Sequence, residues 1–222
     1  MARKVPDFIY WTLFVVLVVM HYFTKTFGAP EHGTVEFFTI IWLASFIGLT
    51  ALKVWAPEPR EEIVDYDENL QRWHLDYIVV GVLGVEAVAL AFSALISRLS
   101  LAAMWVPTLS FQPYDDILFN IGLVATAEES SKILAIKAFT MKLGDRPGGR
   151  IFSVCGPIGF WALLHGYQSY VGAGETAMWL MILAAFICGL IMYWVVKRTR
   201  NILCAYIVHS AHNIIVILSS VL

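Results

Sequence analysis

The sequence predicts an all-α, polytopic membrane protein of about seven transmembrane helices, eight if the segment 97–111 is re-entrant, with a cytoplasmic N-terminus. Three observations lead there. The chain of 222 residues is 59% hydrophobic and only 14% charged, with a mean hydropathy of +0.72. Soluble domains average about 45–50% apolar and ~25% charged, and a soluble fold of this length has too little interior to hide the excess. The apolar residues also fall into runs near the ~20 residues a helix needs to cross a ~30 Å hydrocarbon core, without the short alternating segments of a β-barrel. The same hydrophobicity excludes disorder. No basic patch is dense enough to track nucleic-acid phosphates.

The runs are taken in order. Phe8–Thr24 follows Arg3 and Lys4 but is too long and aromatic for a signal peptide, and no small-residue cleavage site follows it. Phe37–Trp55, Tyr77–Ile96, Ile117–Met141, Ile151–Val171, Thr176–Val196 and Ile202–Leu222 complete the set. The stretch Ser97–Phe111 is amphipathic and interrupted by Pro107, which makes it interfacial or re-entrant. Ala56–His74 carries Glu58, Glu61, Glu62, Asp65, Asp67 and Glu68 and reads as a solvated connector. These spans leave no room for a separate globular domain. Residues 1–222 form a single integral membrane domain, with N-terminal helices and loops over 8–116 and the polar motifs over 117–222. Cys155, Cys188 and Cys204 stand singly inside spans, as packing residues rather than a redox pair.

Orientation follows from the loop cations, which stay cytoplasmic. Seven spans put Arg3, Lys4, Arg60, Arg72, Lys142, Arg146, Arg150, Lys197, Arg198 and Arg200 on one side, and Lys25 and Arg98 on the other. The bias predicts the N-terminus inside and a multi-pass protein of the plasma (cytoplasmic) membrane.

Charged side chains inside a span cost several kcal/mol, so each needs a partner and a reason. The fourth span holds Glu128, Glu129, Ser130, Ser131 and Lys132; the fifth holds His165 and Gln168; the last holds His209, His212 and Asn213; the third holds Glu86. At a rise of 1.5 Å per residue, Glu128 and His165 both lie roughly 21 Å from the cytoplasmic end of their spans, and His209 and Asn213 about 12–18 Å. Three antiparallel helices thereby bring a carboxylate, two imidazoles and an amide into one slab, as a single buried site would need. Glu128 and Lys132 share a face at i,i+4, whereas Glu129 reaches Lys132 at i,i+3. His209 and Asn213 are also i,i+4. Glu86 either hydrogen-bonds a facing helix or lines the cavity.

Such a set suits hydrolysis. A carboxylate polarises water, a histidine shares the proton, and a second His with Asn donates to a developing oxyanion. No G-x-S-x-G turn competes as a nucleophile signature, and no H-E-x-x-H marks a zincin. Carboxylate and imidazole could instead hold a divalent metal such as zinc. A third reading is non-catalytic, a scaffold or immunity protein or a proton-coupled carrier that uses the cluster as structural glue or relay.

The three motifs in this order resemble the CPBP family of intramembrane proteases, which includes type II CAAX prenyl endopeptidases and bacteriocin-processing or immunity proteins. That family reads E-E-x-x-x-R, F-x-x-x-H and H-x-x-x-N on separate helices. Here the first is Glu128-Glu129-Ser130-Ser131-Lys132, the second Trp161-Ala162-Leu163-Leu164-His165, and the third His209-Ser210-Ala211-His212-Asn213, over about half the chain. The first motif has Lys one position sooner than the family's Arg, a form similar to the related PrsW family. The resemblance implies that Glu128 and His165 activate water and that His209 and Asn213 stabilise the oxyanion. Glu129, Lys132 and His212 stand as supporting residues. It implies no obligatory cofactor, a membrane-anchored protein or peptide as substrate, and the lipid bilayer as surroundings.

Overall fold

The structure, a computed structural model, describes residues 75–98, 125–173 and 175–221. The expected spans Phe8–Thr24 and Phe37–Trp55, the connector 56–74, the segment 99–111 and the first residues of the fourth span lie outside the described residues. Within them every element is an α-helix, five in all: α1 (Leu75–Arg98), α2 (Ala125–Leu143), α3 (Gly149–Ala173), α4 (Glu175–Thr199) and α5 (Ile202–Val221). Each coincides with an expected span. The observed ends of α1, α3 and α4 run past the apolar windows by one to three residues, because polar residues such as Asp76, Arg150 and Lys197 extend a helix without adding hydropathy.

Burial in these helices differs in two ways from that of a soluble protein, beside an apolar core that includes Val85, Leu134, Ile158, Met192 and Val208. Large apolar side chains are exposed: Val79, Leu83 and Leu90 on α1, Trp179 and Leu183 on α4, Ile214 and Leu218 on α5. Small and polar ones are buried, including Ala184, Ala185 and Cys188 on α4 and the whole run Glu128–Lys132 on α2. A helix in water would reverse that distribution; a helix in lipid gains nothing by hiding leucine and packs through small residues instead. Among the described residues, Leu75–Ile96 and Glu175–Thr199 are long and apolar enough to cross a membrane.

The chain divides into two compact units, one containing Thr126–Pro157 and the other Asp65–Ala125 and Ile158–Leu222, so the division falls inside α3 just after Pro157. In the first unit, α2 ends in a tight turn to α3. The Gly144 N–H donates to the Thr140 carbonyl at 2.8 Å, the Gly149 N–H donates to the Arg146 carbonyl at 2.8 Å, and Gly148 takes a positive φ of 71°. Phe139 and Phe152 meet edge to face at 5.9 Å across this hairpin.

In the second unit, α1, α4 and α5 pack on one another. Glycine allows the approach: a Cβ on Gly81 would stand 2.7 Å from Val195 Cγ2 and 3.0 Å from Val208 Cγ2. On α4, a Cβ at Gly189 would stand 2.6 Å from Ile158 Cγ2 of α3. The turn from α4 to α5 uses Arg200 in the left-handed region at φ 52°. Asn201 then caps α5, its side-chain oxygen accepting from the Leu203 N–H at 2.9 Å, as an N-cap asparagine does. The buried Thr199 hydroxyl donates to the Val195 carbonyl at 2.8 Å and accepts from the Asn201 N–H at 3.2 Å. The turn therefore leaves few backbone polar groups to seek water.

Candidate functional site

In the unit containing Thr126–Pro157, the acidic motif forms a fully buried patch on α2. Glu128, Glu129, Ser130, Ser131 and Lys132 are each 4% exposed or less. Five consecutive buried residues leave no face of this helix segment to solvent, so the charges must be compensated inside the protein. The ammonium of Lys132 pairs with the Glu129 carboxylate at i,i+3, where the sequence spacing favoured Glu128 at i,i+4. The helix places both carboxylates within reach of the lysine. The Ser131 hydroxyl donates to the Glu128 carbonyl at 2.9 Å, a bond within the helix that satisfies a hydroxyl which would otherwise be buried without a partner.

The second unit holds the histidine motifs. His165 lies in α3 by its backbone; its side chain and that of Gln168 lie outside the described residues. One turn before it, the buried Trp161 packs edge to face against the imidazole of His209 on α5, with ring centroids 6.1 Å apart and planes at 83°. The aromatic residue of the second motif thus bounds the first histidine of the third. Trp161 also joins Ala162 and Ala185 in an apolar cluster completed by Ile182 and Phe186. His209 is 5% exposed. Asn213 follows one turn later on the same face of α5 and is half-buried.

Glu86 on α1 has its partner in the same unit. His212 Nδ1 and Glu86 Oε1 are 2.8 Å apart, both side chains half-buried. Of the two sequence readings of Glu86, the hydrogen bond to a facing helix is the one observed. Neither Trp161 nor Glu86 stood among the expected site residues. The signal for Glu86 was a lone acid in an otherwise apolar span; the signal for Trp161 was its place in the second motif. Among the described residues no three His, Cys, Asp or Glu side chains converge as a cation site requires.

Each unit, taken by itself, carries side chains of types that hydrolysis can use. The first offers two buried carboxylates and a buried ammonium that pairs with Glu129. The second offers an imidazole held by an indole, with an amide one turn away, and both side chains can donate hydrogen bonds.

Residues 116–215 match the family model described as Rce1-like, type II CAAX prenyl endopeptidase Rce1-like. The matched stretch is a little under half of the chain and contains all three motifs. No curated protein and no solved structure matches the chain. The family is one of proteases. The match therefore supports a hydrolase acting on peptide bonds, and the two long apolar helices support an integral membrane protein.

Proposed function

We propose that the chain is a glutamic-type intramembrane endopeptidase that hydrolyses a peptide bond of a membrane-associated protein or peptide. The observation that carries this reading is the match of residues 116–215 to a CAAX endopeptidase family over the stretch holding the buried Glu128–Lys132 motif, His165, His209 and Asn213. In this reading the ion pair divides the labour between the two glutamates. Glu129 neutralises Lys132, and Glu128 is the base.

The steps follow from the residue types. The Glu128 carboxylate, aided by His165, removes a proton from water as its oxygen bonds to the scissile carbonyl carbon. His209 and Asn213 donate hydrogen bonds to the oxyanion as it forms, which lowers the barrier because preorganised donors in a dry site need not reorient. The C–N bond then breaks, and the proton held by Glu128 passes to the leaving nitrogen. Every step uses side chains of this chain alone. We place the site in a seven-span, multi-pass protein of the cytoplasmic membrane, N-terminus inside, with 117–222 as its catalytic half.

The test compares membrane proteomes of cells carrying the wild-type protein with those carrying Glu128→Ala. Uncut precursors of one or a few membrane proteins should accumulate with the variant. Identical proteomes, with full biological activity in the variant, would sink the endopeptidase reading in favour of a scaffold or carrier. Turnover that is unchanged after thorough chelation supports the metal-free mechanism; loss on chelation, restored by zinc, would replace it with a metalloprotease.

A further inference from the structure

We infer that Glu86 is a positioning residue for the oxyanion site, its carboxylate accepting a hydrogen bond from His212 and so fixing the rotation at which α5 presents His209 and Asn213. The inference rests on the proposed role of those two residues as oxyanion donors. Its physical basis lies wholly within the unit formed by α1, α4, α5 and the second half of α3.

On α5 the three polar residues occupy one narrow sector. With 100° per residue, His212 lies about 60° to one side of His209 and Asn213 about 40° to the other. His212 is thus the edge of the polar face that meets α1, and its Nδ1 stands 2.8 Å from Glu86 Oε1. Apolar residues neighbour the pair on both helices: Val85 and Ala89 flank Glu86 in the core, and Ala205 and Val208 are buried on α5. The lipid-facing side of a helix does little to fix its rotation, because leucine and isoleucine are content anywhere against lipid. A hydrogen bond between two partly buried polar groups on facing helices is directional, so it favours one rotation of α5 over its neighbours.

Lever-arm geometry makes the rotation matter. Side-chain tips stand about 5–6 Å from the helix axis, so turning α5 by ~10° moves the His209 and Asn213 donors by about 1 Å. A displacement of that size in a catalytic constellation costs on the order of 10²-fold in rate. Trp161 restrains the ring of His209 from the α3 side; Glu86 restrains the helix from the α1 side.

The experiment uses the full chain in lipid nanodiscs and an internally quenched peptide ending in a farnesylated C-a-a-X tail. Glu86→Gln keeps an acceptor for His212 and should hold kcat within a few-fold of wild type. Glu86→Leu should lower kcat on the order of 10²-fold, with KM changed little. The double variant Glu86→Leu/His212→Phe, which restores apolar packing, should be no slower than Glu86→Leu alone, since residues acting as a unit are not additive. A parallel measurement does not depend on cleavage: 15N resonances of the His209 imidazole should move in Glu86→Leu and stay in place in Glu86→Gln. If Glu86→Leu retains wild-type kcat, or leaves the His209 signal unmoved, Glu86 does not position the site. A wild-type protein that fails to cut the peptide while the His209 signal behaves as expected would rule out the prenylated tail as substrate and leave the positioning role standing.

Discussion

Glu128 and Glu129 are adjacent in sequence, yet a helix turns about 100° between them, so their side chains leave α2 in different directions. Glu129 is 2% exposed and paired with a lysine that is itself 4% exposed. Removing one partner of a buried pair strands the other charge, at a cost of about 3–5 kcal/mol. Glu129→Ala should therefore lower the melting temperature and the yield of membrane-inserted protein, whereas Glu128→Ala should leave both near wild type and abolish cleavage. A thermal-shift series alongside turnover separates the two effects. If Glu129→Ala folds normally but is inactive while Glu128→Ala cuts, the base has been assigned to the wrong glutamate. Asn213→Ala should lower turnover by about 10²–10³-fold, the usual consequence of losing one oxyanion donor. At the α4–α5 turn two opposite effects are expected. Arg200 bears a left-handed backbone that costs a non-glycine residue about 1–2 kcal/mol, so Arg200→Gly should stabilise. Asn201→Ala removes the α5 cap and should cost about 1 kcal/mol. Equal melting temperatures for the two variants would refute both assignments.

Helices show most plainly what can be read from a sequence. The hydropathy windows located α1, α3, α4 and α5 to within a few residues, because a span's length and composition are local properties and lipid imposes both. The acidic patch, His209 and Asn213 were legible for a related reason: polar residues stand out against an apolar run. Partners were less legible. Whether Lys132 meets Glu128 or Glu129 turns on rotamers, and the i,i+4 rule ranks the options without deciding between them. Glu86 and His212 are 126 residues apart in the chain, so only the packing of α1 on α5 could reveal the pair. The close approaches give an element-scale test. At Gly189 an added Cβ would fall 2.6 Å from Ile158 Cγ2, inside van der Waals contact. Gly189→Val should push α4 away from α3 and loosen the cluster around Trp161, the side chain against His209. It should therefore reduce thermal stability and turnover together, whereas Gly84→Ala, whose Cβ would meet Ile191 at an ordinary 3.5 Å, should do neither. If Gly189→Val leaves both properties intact, that contact does not constrain the site.

For the molecule as a whole, the side of the membrane on which each turn lies decides which end of the site a substrate approaches. α3 and α4 each contain 25 residues, or about 37 Å of helix, enough to cross the ~30 Å hydrocarbon core once. If each crosses, the α2–α3 turn and the α4–α5 turn face the same compartment, and the α3–α4 junction faces the other. The charges sort in that way without reference to the number of spans: Lys142, Arg146 and Arg150 flank the first turn and Lys197, Arg198 and Arg200 the second, while Glu175 begins α4 at the opposite end. Lysine and arginine are retained in the cytoplasm during insertion, and acidic residues contribute little to orientation. The expected topology therefore puts both basic turns inside and Glu175 outside. Single cysteines at Arg146, Arg200 and Glu175, in a background where Cys155, Cys188 and Cys204 are replaced by serine or alanine, make the test direct. A membrane-impermeant maleimide applied to intact cells should label the cysteine at 175 and spare those at 146 and 200 until the membrane is opened. Labelling of 146 and 200 from outside would invert the topology and put the cytoplasmic ends of the spans on the external face. Labelling of one but not the other would mean that α3 and α4 do not both cross, and the seven-span count would fall with it.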